Sequence, residues 1–377
     1  MLVRETCLSM SAVSEGLPAK QLLEDIQRSL ENHCIEGVVH KVEISRTGDL
    51  QFELKAGGTS RWYDWNQQKP VELIPANDSK ISLAARLKEK QFAAHTRLLS
   101  HRPGKRLTLL DNGGQKARIH KGFRHGQLQS MIDKYESAHM AFSGRSVNTP
   151  DIIEYDLENE CLIMVCLSGE RLKLSADTTD LFYLVGEALR GFQDFVPNTQ
   201  DSCFDAKAEL DVIDQRATRL QLATGSFPEN WTALRKRLET VWRELPDPHY
   251  GLAHRDLHDK QFIQQANCLI LLDFDLMTKA DVCLDPANFL AHLVLRNLQG
   301  IAGATQRSID ACGKQLLLGL GRNEEPGFWR RLRFYQTTSF CRLAFVYSLR
   351  PQWQHLLPAL FTMANRCLDD FDHIETR

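Results

Sequence analysis

The chain has 377 residues, 43% of them hydrophobic, and 46 basic against 48 acidic side chains leave a formal charge of −2. That length and apolar content can bury one large or two medium cores, while the near-neutral balance gives no global basic field of the kind that drives nucleic-acid binding. The ten cysteines are scattered without a C-x-x-C pair or the Cys/His spacing of a zinc site, which argues against a disulfide framework and for the cytosol. The opening MLVRETCLSM places Arg4 and Glu5 where a signal peptide needs an apolar run, and no stretch of about 18 apolar residues occurs, so neither export nor a membrane span is expected.

In chain order, residues 1–90 hold a helical pattern at Ala19–Asn32, strand patterns near Gly37–Glu43 and Leu50–Leu54, and a polar region through Asn77-Asp78-Ser79. They read as an accessory region packed on the strands that begin near Thr96. Thr96 to Leu110 is strand-like but broken by Arg102-Pro103-Gly104-Lys105, and Asp111-Asn112-Gly113-Gly114 is a hairpin signal because Asn-Gly accepts the positive φ angles of a tight primed turn. The return strand is expected at Lys116–Phe123, where alternation puts Ile119 and Lys121 on one face. A helix at Gln127–Phe142 comes next, then an apolar strand from Cys161 that ends at Ser168-Gly169, with Cys161 and Cys166 read as small buried hydrophobes. Beyond it helical periodicity dominates: Thr179–Phe195, Ala206–Leu222, Asn230–Leu245, Asp285–Leu298, Arg307–Leu318, Phe328–Leu349 and Gln352–Asp370. No G-x-G-x-x-G lies between the strands and no G-x-x-x-x-G-K-[ST] occurs anywhere, so a glycine loop cradling phosphate is not supported.

One segment of this helical half carries chemistry. Leu269 to Leu272 is a short, continuously apolar run, the pattern of a strand buried on both faces, and Asp273 stands where it ends. Upstream, Gly251-Leu252-Ala253 leads into His254-Arg255-Asp256-Leu257-His258-Asp259-Lys260-Gln261. Two strands joined by a tight turn would bring the two acid-bearing loops face to face. Phosphoryl transfer asks little covalent work of a protein: an acceptor hydroxyl held in line, and cations to neutralise the phosphate oxygens. Asp256 suits the acceptor's proton, Asp273 suits Mg²⁺, and the Gln261 carbonyl offers a second oxygen ligand to an ion that keeps several waters. His258 reads equally as a hydrogen-bonded spacer or a substrate contact, and Asp275 as a second metal ligand or a solvated loop acid.

The segment resembles the catalytic core of the aminoglycoside phosphotransferase and choline kinase group. That group shows H-G-D-x-H-x-x-N, an apolar strand, I-D-[WF], then D-P-x-x-D-L at a helix start. Here the order is His254 to Gln261, then Leu272-Asp273-Phe274, then Leu284-Asp285-Pro286-Ala287-Asn288. Two residues depart: Arg255 stands for the usual Gly, and Gln261 for the metal-binding Asn. The resemblance implies an α+β, two-lobed protein-kinase-like fold, with a small antiparallel-sheet N-lobe and hinge over residues 91–168 and a mainly helical C-lobe over 169–377. It also implies ATP with Mg²⁺ and a hydroxyl-bearing small molecule as acceptor, a sugar or sugar-containing metabolite being one class. The phosphate lysine it requires is Lys121, with Lys116 and Arg118 as competitors, and a segment similar to Arg102-Pro103-Gly104-Lys105-Arg106 precedes that strand in relatives. Glu136 is the expected carboxylate partner of Lys121, with Asp133 as alternative. The strand ending in Cys166-Leu167-Ser168 becomes the hinge whose backbone would bond adenine.

In the last helices Trp329, Arg330, Arg331, Arg333, Phe334, Tyr335, Arg342 and Tyr347 are core residues or recognise an anionic or hydroxyl-rich substrate. Asp285 reads as a helix cap propping the catalytic loops. Three functions stay open: a small-molecule kinase, which intact Asp256, Asp273 and Lys121 favour; a pseudokinase whose Gln261 spoils metal geometry; and a kinase-fold nucleotidyltransferase, whose products would carry AMP.

Overall fold

The computed structural model describes residues 19–66, 69–196, 203–228, 230–265 and 268–373; the amino-terminal decapeptide MLVRETCLSM lies outside them. Among the described residues no helix is long and apolar enough to cross a membrane.

The first unit is a helix, Lys20–Asn32, with an antiparallel meander of four strands, Val38–Ile44, Leu50–Ala56, Thr59–Trp65 and Pro70–Leu73. Helical spacing puts Leu22, Leu23, Ile26 and Leu30 on one stripe, and these share a small core with Val42, Phe52, Leu54 and Tyr63. Ala223 and Leu349 of the helical half join that core, and the Val42 N–H donates to the Leu349 carbonyl at 2.9 Å.

Residues 91–168 supply a five-stranded antiparallel sheet in the order Thr96–Arg102, Arg106–Asp111, Arg118–Phe123, Cys161–Val165, Ile152–Asp156, with the helix Leu128–Phe142. One sheet face carries Leu107 and Leu109, covered by Ile81, Leu83 and Ala84. The boundary drawn at residue 90 therefore cuts through a packed layer: residues from Ile81 onward bury apolar side chains against this sheet, not against the accessory meander. The fit is close enough that a Cβ on Gly122 would stand 2.7 Å from Leu83 Cβ. The other face looks toward the helical half, where Phe123, Leu162 and Met164 enter the main core together with Phe142, Phe192 and Phe274.

The C-lobe is helical, with Thr179–Gln193 packed on Gln306–Leu320 and the long Phe328–Ser348 helix against Ala206–Thr224, Leu284–Leu298 and Leu357–Asp372. Inserted in it are the hairpin Phe262–Gln265/Cys268–Leu271 and the strand Tyr250–Ala253 paired with Thr278–Asp281. These short strands carry the acidic loops.

Candidate active site

Hairpin register brings the loops together. Phe262 pairs with Leu271, so Gln261 and Leu272 face each other just beyond the paired ends, and the Leu272 N–H donates to the Gln261 carbonyl at 2.9 Å. His254 spans both loops: its Nε2–H donates to the Leu272 carbonyl at 2.8 Å and its Nδ1 accepts the Asp256 N–H at 3.3 Å. Gln261 Nε2 lies 3.4 Å from Asp256 Oδ2. Asp256 and the residue preceding Asp273 are thus tied through one histidine and one glutamine.

Asp285 has no accessible surface and sits inside its helix, whose N-cap is Cys283, so it does not cap. It props the loop instead: its two carboxylate oxygens accept the N–H groups of His254 at 2.6 Å and Arg255 at 2.8 Å. Burial raises its carboxyl above the ordinary value despite these bonds. The anchoring coincides with backbone strain. Arg255 has φ of 67° and Asp273 φ of 66°, a region that costs a non-glycine residue about 1–2 kcal/mol. At position 255 glycine would enter it freely. Arg255 is held there by Asp285 and by its guanidinium, 3.5 Å from the centre of the Phe204 ring.

From the N-lobe, Lys121 reaches in. Its ammonium donates to Asp273 Oδ1 at 2.8 Å, Asp275 Oδ1 at 2.6 Å and the Tyr135 hydroxyl at 2.8 Å. Arg106 joins it, with Nη1 at 2.9 Å from Asp273 Oδ1 and 2.5 Å from Asp275 Oδ2. Burial would raise the Asp273 carboxyl, but Lys121 and Arg106 outweigh it and hold the group far below the ordinary carboxylate range. Lys121 itself is buried, which alone would lower it, yet Tyr135 and the two aspartates keep it charged and above its usual value. Burial pushes the Tyr135 hydroxyl up to about 12. Asp275 is thus no solvated loop acid.

Arg106 was not singled out in the sequence, although a signal existed. Strand register pairs Thr108 with Lys121 and Arg106 with Phe123, so Arg106 lies on the face that Lys121 occupies. Glu136 is a correction. It is exposed and accepts from the Tyr155 hydroxyl at 2.9 Å, while Asp133 accepts from Gln129. The buried stripe of that helix runs Leu128, Met131, Ile132, Tyr135, Ala138, Phe142, so Tyr135 meets Lys121 and Glu136, about 100° further round, faces away. At the hinge, the Cys166 N–H is already used by the Ala117 carbonyl at 3.2 Å, and the exposed Ser168 accepts from Gln265. A cleft of about 270 Å³ lined by Gly104, Lys105, Phe123, Arg124, Gln127, Met131 and Asp275 opens beside the aspartates.

On the C-lobe side, ligand-type atoms of Asp256, His258 and His292 lie within 4.8 Å of one another, and the two imidazoles stack at 4.5 Å. Burial pushes His258 down to about 4. Its Nδ1 accepts the Lys260 N–H at 3.2 Å, so the neutral ring carries its proton on Nε2. Asp259 turns away into a buried bidentate pair with Arg296, with bonds of 2.9 to 3.1 Å. Of the bases in the last long helix, Arg331 is buried against Asp281 at 3.0 Å and Arg333 against Gln336 at 2.8 Å; Arg342 differs from both in bonding toward the loop that carries Asp256, through Asn288.

A comparison with curated protein sequences finds no significant match. Solved structures share the fold. A choline kinase from Streptococcus pneumoniae superposes with a TM-score of 0.53 at 13% identity over 76% of this chain and 98% of its own. A choline/ethanolamine kinase family protein from Mesorhizobium loti gives 0.51 at 10% identity, covering 77% and 95%, and an amicoumacin kinase in complex with AMP-PNP and Ca²⁺ gives 0.51 at 12%, covering 74% and 89%. These likenesses establish the two-lobed kinase-like fold. The sequence profile described as "Phosphotransferase enzyme family" matches residues 109–310, more than half of the chain and all of the segment from Lys121 to Arg296, and on that match the chain belongs to the phosphotransferase enzyme family.

Proposed function

We propose that this phosphotransferase moves the γ-phosphoryl group of ATP onto a hydroxyl of a small molecule. The observation that carries the reading is the meeting of two cations from the N-lobe sheet, Lys121 and Arg106, with Asp273 and Asp275, beside a loop that presents Asp256. In this reading the acceptor oxygen attacks the γ-phosphorus, its proton passes to Asp256, and the bond to the ADP oxygen breaks. Lys121 and Arg106 exchange carboxylate partners for phosphate oxygens, which is economical because both sites are anionic and lie within reach of the same side chains. All-oxygen donors, Asp273 and the side-chain carbonyl of Gln261 with Asp275 beside them, fit Mg²⁺, whose chemistry when bound is to neutralise charge between the phosphates. The hinge after Val165 takes the adenine through backbone groups other than the Cys166 N–H. The AMP-PNP and Ca²⁺ complex of the amicoumacin kinase supports nucleotide and divalent-ion use by this fold.

Gln261 favours a second reading. Its amide nitrogen points at Asp256, an arrangement that suits nucleotide binding without transfer. Incubation with γ-labelled ATP, Mg²⁺ and a library of hydroxyl compounds, followed by mass analysis, separates the two. Labelled phosphorylated acceptor that disappears in Asp256→Asn supports the kinase; Mg-ATP binding with no labelled product from any acceptor supports the second reading; an adenylylated product overturns both.

A further inference from the structure

Around the residues that flank Asp256, four charged groups come together from three distant parts of the chain. Glu209, on the helix Ala206–Thr224, has no accessible surface, and neither carboxylate oxygen receives a hydrogen bond from the described residues. Its nearest cation is Arg342, with Nη1 at 3.6 Å. Arg342 also donates to Asn288 Oδ1, and Asn288 Nδ2 donates to the carbonyl of Leu257 at 2.9 Å, so Arg342 is tethered to the residue immediately after Asp256. Arg255, which precedes Asp256, has a buried Nε with no hydrogen-bond partner among the described residues, as does Arg216 two helical turns beyond Glu209. The charges feel one another. Burial first and then repulsion from Arg342 lower Arg216 to about 10, and burial followed by opposing effects of Glu209 and Arg342 lowers Arg255.

Guanidinium groups that outnumber the carboxylates around them make a poor structural core. Buried charges are costly unless matched and fully hydrogen-bonded, and here Arg216, Arg219, Arg255 and Arg342 face Glu209, Glu43 and Asp285, while Glu209 receives no hydrogen bond from the described residues. Elsewhere in the lobe buried arginines touch a carboxylate directly, Arg296 with Asp259 at 2.9 Å and Arg331 with Asp281 at 3.0 Å, although the Arg331 Nε also has no hydrogen-bond partner among the described residues. His258 adds no compensating charge, because it is neutral at physiological pH, but it offers an Nε2–H donor.

Resting on the kinase reading above, we propose that this cluster is the acceptor subsite and that the acceptor is a polyhydroxy compound bearing an anionic group. Its hydroxyl donates to Asp256, and its carboxylate or phosphate is taken by Arg216, Arg255 and Arg342, beneath which the inaccessible Glu209 lies. Cationic acceptors are disfavoured by the same excess of guanidinium, whatever the fold's relatives phosphorylate.

The test is equilibrium binding by calorimetry to the full chain, with D-gluconate and glucose 6-phosphate as anionic probes, choline and D-glucosamine as cationic ones, and myo-inositol as the neutral one, each repeated as an acceptor with γ-labelled ATP and Mg²⁺. The expected result is binding of at least one anionic probe about tenfold or more tighter than every cationic or neutral probe, a gap of about 1.4 kcal/mol, with affinity that falls as salt rises. Arg342→Met and Arg216→Met should each weaken the anionic probe more than they weaken Mg-AMP-PNP, and Arg342→Lys should restore part of the loss, an outcome that a merely structural role would not give. Where a Met variant fails to fold, the Lys variants and the probe ranking on the unaltered chain decide. Tighter binding of choline, glucosamine or inositol, or no binding of either anion at about 10 mM, overturns the inference. Anion binding that depends on these arginines, together with no labelled product from any acceptor, would sink the kinase reading and leave the subsite standing, whereas efficient transfer to glucosamine or inositol would do the reverse.

Discussion

The hairpin turn Arg102-Pro103-Gly104-Lys105-Arg106 divides three cations between two regions that use them differently. Toward the accessory meander, Arg102 and Lys105 hold Glu43 at 3.2 and 2.7 Å, with their side chains 43% and 58% exposed. Toward the cleft, Arg106 meets Asp273 and Asp275 with its side chain 21% exposed, beside Lys121 at 7%. Solvated pairs of the first kind contribute about 0–1 kcal/mol each and are screened by salt. Partly desolvated ones act at lower effective dielectric and are correspondingly stronger. The same residue types therefore serve as a positional brace at the surface and as an electrostatic clamp in the cleft, and burial decides which.

If that division holds, removing the chemistry should cost far more than removing the brace. Asp256→Asn is expected to lower kcat about 10²–10⁴-fold, the usual worth of a positioned general base, with a much smaller change in nucleotide affinity. A drop in kcat below tenfold would show that Asp256 does not handle the proton. Within the hairpin the contrast is sharper. Arg106→Met should raise the KM for ATP about 10- to 100-fold, since hydrogen bonds to charged groups are worth about 1.5–3 kcal/mol, whereas Lys105→Met should change it less than about threefold. Equal effects from the two substitutions would erase the distinction between clamp and brace.

Legibility in the sequence obeys the same division. The acid-bearing loops were readable because a strand's end, a short apolar run and fixed spacing confine them; Asn112-Gly113 and alternation located the strand of Lys121, but the family resemblance was needed to choose that lysine over Lys116 and Arg118. Arg106 was not, since three cations stand within five residues and only register says which turns inward. Glu136 took the place of Tyr135 as the expected partner because a carboxylate is the obvious mate for a lysine, yet helical periodicity already puts Tyr135 on the buried stripe. The short helices Leu83–Arg86 and Lys90–His95 offer too few residues for a period to show. In the strand Thr59–Trp65, burial falls on adjacent Trp62 and Tyr63 instead of alternating, so the period-two signal is lost. Glu209, Arg216 and Arg342 are dispersed over more than a hundred residues, and no local pattern unites them.

A smaller effect is expected from Glu43→Gln. Burial would raise this carboxyl, but Arg102 and Lys105 outweigh it and bring it to about 2 from an ordinary 4.5. Because the folded value is the depressed one, its contribution is fully present above about pH 4.5 and is lost as pH falls toward 2. Thermal unfolding across that window should therefore show a steeper acid loss in the unaltered chain than in Glu43→Gln, with the two curves closest at the acid end. At neutral pH the substitution should cost about 1 kcal/mol and raise the ATP KM a few-fold without lowering kcat. Loss of kcat instead would mean that the meander shapes the catalytic loop and not only the hairpin.

Arg255→Gly is the smallest perturbation to stability and the most discriminating. Glycine relieves the strain of a φ of 67°, a gain of about 1–2 kcal/mol, but it adds about 0.5–1 kcal/mol of unfolded-chain entropy and removes a cation–π contact with Phe204 worth a similar amount. These effects nearly cancel, so the melting temperature should move by no more than about 2–4 °C in either direction. The backbone N–H that Asp285 holds is kept, so the loop should stay in place and kcat at saturating acceptor should fall little. What glycine cannot supply is the guanidinium, and the acceptor KM should rise. A large fall in kcat with an unchanged acceptor KM would place Arg255 among the supports of the loop and take it out of the acceptor subsite.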